Sequence, residues 1–179
     1  MQVGDDKMTR DGDGHALGND GDGTSATEPD WSRERPSRLW DPSSRLLRSI
    51  RRYQAARGPL APFVRRWSVL QHRIWSVVTG ADIPLTVRIA GGLVMPHPNG
   101  IVIHPDAIIG PNCLIFQQVT IGANGKGVPH LGGHVDVGAG AKVIGPIRIG
   151  HHAVIGANAV VTRDVPENRV AAGVPARLL

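Results

Sequence analysis

Histidines and a lone cysteine are the side chains of this sequence that could act as a base, a nucleophile or a soft metal ligand near neutral pH. Its 179 residues include eight histidines and one cysteine, Cys113. A histidine can remove a proton from a hydroxyl group, return it to a leaving group, or bind a metal. Which of these chemistries is available depends on the elements that bring the residues together.

A six-residue repeat in the second half of the chain would position these side chains. It predicts a triangular β-solenoid, in which each unit forms one side, the aliphatic residue points inward and three units complete a coil of about eighteen residues. Residues one coil apart would stack at about 4.8 Å. The repeated aliphatic residues are Ile83, Ile89, Met95, Ile103, Ile109, Ile115, Ile121, Leu131, Val137, Val143, Ile149, Ile155 and Val161.

The repeat argues against Cys113 as a nucleophile. Cys113 occupies the small, inward fifth position of its unit, which Ala107 and Val119 hold in the neighbouring units. A buried thiol is a poor nucleophile because only the thiolate reacts. We therefore predict a structural role for Cys113.

Metal chemistry is poorly supported. His134 and His152 are eighteen residues apart and would stack, but a zinc lyase of the γ-class carbonic anhydrase kind needs a third histidine on the same metal. The aspartates of residues 11–22 lack the glycine and glutamate that a calcium loop requires in register. The sequence therefore predicts no metal site.

Three regions precede or contain the repeat. Residues 1–40 are rich in Gly and Asp, and we predict a disordered acidic tail and linker. Residues 41–80 predict two short helices, and residues 81–179 the β-solenoid domain with a C-terminal tail. The helices carry apolar stripes that we expect to pack on the next domain or on a neighbouring subunit rather than on a membrane surface.

Charge and hydropathy exclude several classes of function. The net charge of +5 is uneven, since residues 31–88 hold 12 basic and 3 acidic residues. Those arginines follow helical spacing without interleaved aromatic platforms or a recognisable nucleic-acid reading motif, so we expect no nucleic-acid partner. No signal peptide or membrane span is apparent, and the single cysteine suits a reducing compartment, so we expect a cytoplasmic protein.

The stretch from Asp82 to Leu179 resembles the serine acetyltransferase family of hexapeptide-repeat acyltransferases. The resemblance lies in the strings ADIPLTVRIAGGLVMPHPNGIVIHPDAIIG, IFQQVTIG, VGAGAKVIGPIRIG, IGANAVV and AAGVPARLL. It implies a mainly β fold, a left-handed parallel β-helix with a short N-terminal helical segment. It also implies an enzyme that transfers acetyl from acetyl-CoA directly to a serine hydroxyl, with no metal, in cysteine biosynthesis. A homotrimer or a dimer of trimers is the expected assembly.

The resemblance also implies site residues. His97 would be the general base and Asp82, fifteen residues earlier, its partner. Gln118 and His130 are the candidates for binding the acceptor. The acetyl-CoA candidates are Gly138, Ala139, Gly140, Ala141, Lys142, Arg163 and Arg177.

Two departures leave the acceptor open. Pro96 stands where the family has an aspartate that holds the amino acid, and Gly127-Val128-Pro129 aligns with its Arg-His-Pro, in a loop about four residues shorter than usual. An O-acetyltransferase for a sugar or for a biosynthetic intermediate is therefore the alternative enzyme. A γ-class carbonic anhydrase-like protein and an inactive scaffold are more remote alternatives.

Overall fold

The computed structural model describes residues 23–36 and 39–179. A 3-10 helix, Trp31–Glu34, is followed by two α-helices, α1 (Pro42–Ala55) and α2 (Ala61–Thr79), and then by short β-strands. Neither α-helix is long and apolar enough to cross a membrane, and no other helix in the described part of the chain is.

Both helices have the ends that their sequences predict. The Asp41 carboxylate accepts a hydrogen bond from Ser44 N at 3.0 Å, and Pro42 opens α1. Gly80 ends α2 in the left-handed conformation, with φ 66°. The apolar side of α1 buries Leu46, Leu47 and Ile50 in the same core cluster as the first repeat units. The helix pair therefore caps the first coil.

The strands form three faces of parallel strands, as the repeat predicts. The first face contains β2 (Val102–Ile103), β5 (Thr120–Gly122), β8 (Lys142–Ile144) and β11 (Val160–Val161). The second contains β1 (Arg88–Ile89), β3 (Ile108–Ile109), β6 (His130–Leu131) and β9 (Arg148–Ile149). The third contains β4 (Leu114–Ile115), β7 (Asp136–Val137), β10 (Val154–Ile155), β12 (Val170–Gly173) and the antiparallel β13 (Ala176–Leu178).

The repeated aliphatic residues form the core. All thirteen are buried, and the fifth-position residues Ala107, Cys113, Val119, Ala141, Ala153 and Ala159 are fully inaccessible. Each pair of stacked strands matches inward residues, as in Ile103 with Ile121 and Ile121 with Val143. The predicted mainly β solenoid with a short helical segment is confirmed.

An N-terminal strap, residues 23–36, lies against the corner between the second and third faces. Asn112 holds it: its Oδ1 accepts from Asp30 N at 2.8 Å, and its Nδ2 donates to the carbonyls of Ser25 and Glu28 at 2.7 and 2.8 Å. Glu34 accepts hydrogen bonds from Gly92 N and Leu93 N. The strap is thus joined to two successive coils.

The strap departs from the disorder predicted for residues 1–40. That prediction followed from low apolar content, but polar anchors hold this segment, since Glu34 also pairs with Arg51 at 2.7 Å. The ring of Trp31 covers Gly91 so closely that a Cβ there would lie 2.7 Å from it. The remaining expectations for residues 1–22, including the excluded calcium loop, lie outside the described residues.

Replacement of Asn112 should destabilise the protein through the strap. Asn112→Ala removes three hydrogen bonds from a fully buried side chain, and we expect a loss of about 2–4 kcal/mol. Trypsin should then cut faster after Arg33, in the strap. Thermal unfolding and limited proteolysis measure the two effects.

Asn168→Ala is the matched control. Asn168 has a similar φ, 56° against 59°, but its side chain is exposed. It therefore reports the cost of alanine in the left-handed region alone. Equal losses of stability in the two variants would contradict the anchoring role of Asn112.

Candidate active site

The candidate residues concentrate at one edge of the solenoid, where the chain turns from the third face to the first. We call this edge the His97 corner; it comprises residues 96–101, 116–119, 138–141 and 156–159. Its turns are held to one another by backbone hydrogen bonds, from Gln118 N to the carbonyl of Asn99 and from Gly140 N to the carbonyl of Gln117. Residues far apart in sequence therefore share one edge.

Asp82 and His97 both border this corner. Asp82 N donates to the carbonyl of Ile101 at 2.8 Å, and Ile103 N donates to the carbonyl of Asp82 at 3.0 Å. The backbone of Asp82 is thus fixed beside the strand that follows the His97 turn. Both side chains are exposed, so a substrate or a neighbouring subunit can reach them.

The repeat explains how two residues fifteen apart in sequence, Asp82 and His97, come to lie along the same edge of the solenoid. The bridge from Asp82 to Val102 spans twenty residues, because the turn at 96–101 adds two to the usual eighteen. His97 lies within that longer turn, which projects it from the edge. A helix or a single strand would have separated the two residues.

Gln118 and Lys142 are joined across two coils of the same corner. The Lys142 ammonium donates to the carbonyl of Gln118 at 2.6 Å. Gln118 itself is in the left-handed conformation, with φ 60°, and its side chain is exposed. The neighbouring Gln117, which sequence reasoning did not single out, has a buried side-chain oxygen without a hydrogen-bond partner among the described residues. A ligand N–H would satisfy that oxygen.

The small residues predicted to line the acetyl-CoA path lie in the third turn of the corner. A Cβ on Gly138 would lie 2.6 Å from Ala157 N, and one on Gly140 would lie 2.2 Å from the Asn158 side-chain oxygen. Coil stacking therefore requires both glycines whether or not a ligand binds. Ala141 is buried in the core, whereas Ala139 is partly accessible at the edge.

Three predicted residues lie away from the His97 corner of the same chain. His130 is an exposed residue of β6 on the second face, where it pairs with Ile108 and Arg148. Arg163 is exposed just after β11, and Arg177 lies on β13, paired with Ala172. A site that uses any of them together with His97 would have to be built from more than one copy of the chain.

The surroundings of Cys113 disfavour it as an alternative nucleophile. Cys113 is completely buried, and burial raises the pKa of its thiol to about 12. Its Sγ lies 3.3 Å from the carbonyl of Gly132. At neutral pH this group is a thiol rather than a thiolate, which agrees with a structural role.

The stacked histidines, His134 and His152, lie at the corner between the second and third faces, where the strap also lies. The Nδ1 atoms of His134 and His152 are 2.9 Å apart. Within residues 23–36 and 39–179, no group of three or more histidine, cysteine or acidic side chains could hold a metal ion. The third ligand of a zinc lyase is thus not found in that part of the chain.

Comparison with known proteins finds serine acetyltransferases among the similar sequences. Serine acetyltransferase of Synechococcus elongatus is 44% identical over 107 residues, covering 58% of this chain and 44% of that protein. Serine acetyltransferase of Escherichia coli K12 is 40% identical over 114 residues, covering 62% of this chain and 41% of that protein. The chain thus spans less than half the length of these relatives. No protein-family model matches it.

Solved structures of the same kind share the fold. A serine acetyltransferase in complex with CoA superposes with a TM-score of 0.68 at 34% identity, covering 79% of this chain and 58% of that chain. Serine acetyltransferase from Brucella abortus superposes with a TM-score of 0.65 at 31% identity, covering 80% and 61%. The solenoid is therefore of the left-handed serine acetyltransferase type. In sequence and in fold, the chain is similar to serine acetyltransferases over the parts that these comparisons cover.

Proposed function

We propose that this protein is an acetyl-CoA-dependent O-acetyltransferase that transfers acetyl directly to the hydroxyl of L-serine or of a serine-like amino acid. The observation that carries the proposal is the grouping of Asp82, His97 and the small-residue turn 138–141 along one edge of the solenoid. A similar protein has been solved in complex with CoA. Acetyl-CoA, the acetylated form of CoA, is the acetyl donor that we assign to this chain.

His97 is the general base of the proposed reaction. A serine hydroxyl is a weak nucleophile at neutral pH, so His97 removes its proton as the oxygen attacks the thioester carbonyl. The C–S bond of the resulting tetrahedral intermediate then breaks. The protonated imidazole returns its proton to the departing thiolate, which leaves as CoA while the acceptor carries the new ester. No acyl-enzyme is required.

Asp82 orients and stabilises the imidazole in this scheme. A carboxylate beside a catalytic histidine fixes the ring tautomer and favours the imidazolium that forms during the attack. The fixed backbone of Asp82 beside Ile101 and Ile103 supports that positioning role. We propose Lys142 as a contact for a phosphate of the donor at the same corner, and Arg163 and Arg177 as such contacts from a neighbouring copy.

A second acceptor class is favoured by the two departures from the family pattern. Pro96 supplies no carboxylate for an amino group, and Gly127-Val128-Pro129 supplies no cation for a carboxylate. An O-acetyltransferase for a sugar or a biosynthetic intermediate would need neither. This alternative keeps the same base, the same donor and the same bond changes.

A thiol-release assay separates the two. We expect CoA release from acetyl-CoA to depend on an added hydroxyl acceptor, with serine above homoserine and simple glycosides. A higher kcat/KM for a glycoside than for serine would instead identify the protein as an O-acetyltransferase of the second acceptor class. No release with any acceptor, from folded protein, would contradict acetyl transfer itself.

We propose a homotrimer for the assembly, since the separated His130, Arg163 and Arg177 can meet a His97 corner only across subunits. Closed threefold symmetry gives three equivalent grooves. We expect light scattering at micromolar concentration to give three times the chain mass, or six times for a dimer of trimers. A fully active monomer would contradict the shared site.

The setting that we propose is cytoplasmic, with the O-acetylated amino acid entering cysteine biosynthesis. A single, buried cysteine agrees with a reducing compartment. We propose no metal and no nucleic-acid partner.

A further inference from the structure

The apolar side of α2 is not covered by the rest of the described chain. Five residues spaced by four and three form a line that we call the α2 stripe. Their exposed fractions are 71% for Phe63, 57% for Trp67, 50% for Leu70, 51% for Ile74 and 84% for Val77. Spacing alone predicts packing for both helices, and α1 is indeed buried, but α2 presents its apolar residues to the outside.

The α2 stripe points away from the solenoid. His72 Nε2 lies 2.8 Å from the carbonyl of Ile83, which marks the side of α2 that faces the first coil. At about 100° per residue, the five stripe residues lie roughly 140–220° around the helix from His72. The stripe therefore faces outward from the end of the solenoid.

Arginines flank the α2 stripe on both sides. Arg66 and Arg73 of α2 lie along one edge, roughly 100–120° from His72 by the same helical geometry. Along the other edge, Arg45, Arg48 and Arg52 of α1 line a cavity of about 100 Å³ with Gln71 and Trp75.

The walls of the cavity are basic. The Arg45 guanidinium lies 5.2 Å from the centre of the Trp75 ring, and Arg52 donates to the Gln71 side chain at 3.3 Å. No carboxylate is among its lining residues. Residues 41–80 hold eight arginines and one acidic residue, Asp41, a balance of +7.

This charge pattern disfavours a second copy as the occupant of the stripe. A twofold contact between two such surfaces would bring arginines of one copy against arginines of the other, and like charges oppose association. An anionic surface has the complementary charge. An exposed apolar stripe with basic flanks is the pattern of a helix that lies in a membrane interface.

We propose that α1 and α2 form a peripheral docking surface for an anionic phospholipid membrane. The α2 stripe enters the boundary between headgroups and acyl chains, with its axis in the membrane plane. The flanking arginines contact lipid phosphates, and the cavity between the helices receives one of them. The solenoid, on the other side of the helix pair, keeps its His97 corner in water.

Vesicle co-sedimentation of the full chain tests this proposal independently of acetyl transfer. We expect binding to vesicles of phosphatidylglycerol and phosphatidylcholine, weak binding to phosphatidylcholine alone, and weakening at high salt. The variant Arg45→Gln/Arg48→Gln/Arg52→Gln should bind about a hundredfold more weakly. Trp67→Gln/Leu70→Gln should also lose binding, with thermal stability preserved because both residues are at least half exposed.

The matched control is Arg88→Gln/Arg148→Gln/Arg169→Gln, which removes three exposed charges from the solenoid. It should retain vesicle binding. Equal losses in the two arginine variants would show general charge attraction and overturn the proposal. The absence of vesicle binding by the unmodified chain would overturn it too, as would Trp67→Gln/Leu70→Gln converting a larger assembly into trimers, which would identify the α2 stripe as a contact between copies.

Discussion

His97→Ala should fold and assemble normally yet lose acetyl transfer by about 10²–10⁴-fold or more. A general base alone contributes about that factor, and here the same imidazole also protonates the thiolate. His97 is exposed in a turn of the edge, so its removal opens no cavity in the core. Steady-state kcat/KM with acetyl-CoA, together with thermal unfolding, measures both parts of the expectation.

His104→Ala provides the comparison for His97→Ala. His104 is another partly exposed histidine of a solenoid turn, where its Nδ1 accepts from Asp106 N at 3.2 Å. It belongs to a different corner, so its removal should leave turnover within about twofold. If His97→Ala kept half of the activity, His97 would have no part in the mechanism.

The core was predictable because each inward position has one steric solution. A side chain that points into a narrow solenoid must be apolar and must fit the coils above and below it. Ile103, Ile121 and Val143 show this rule directly, since they stack as one inward column. The six-residue spacing therefore predicts the fold class without any knowledge of function.

The register between coils was less predictable. Asp136 pairs with Val154, eighteen residues on, but Ile108 pairs with His130, twenty-two residues on. The difference is the loop that leaves the solenoid at 122–130. Such insertions do not alter the inward column, so periodicity shows that a loop exists but not which outward residues it brings together.

The strap could not be predicted because its contacts are long-range and polar. Asp30 and Asn112 are 82 residues apart, and a Gly- and Asp-rich segment has no periodicity of its own. The useful signal would have been Asn112 itself, an amide at a position where the stacked coils on either side carry Gly92 and His134. A buried amide needs partners, and the strap backbone supplies them.

The site was predictable as a set of residues rather than as a finished pocket. Spacing and resemblance named Asp82 and His97, and the fold places both at one edge. His130 belongs to a different face, and nothing in the spacing of a single chain could show which face of a neighbouring copy it meets. The buried oxygen of Gln117 depends on local packing, which periodicity does not encode.

Asp82→Asn should lower kcat by about 10²-fold or more while changing KM little. The amide keeps the size of the side chain and the backbone bonds to Ile101 and Ile103, but it removes the charge that favours the imidazolium in the transition state. Asp106→Asn, which changes another exposed carboxylate in the next coil, should leave both constants unchanged. Because the lost interaction belongs to the transition state, a rise in KM at constant kcat would instead assign Asp82 to acceptor binding, and unchanged kinetics would make its proximity to His97 irrelevant to the reaction.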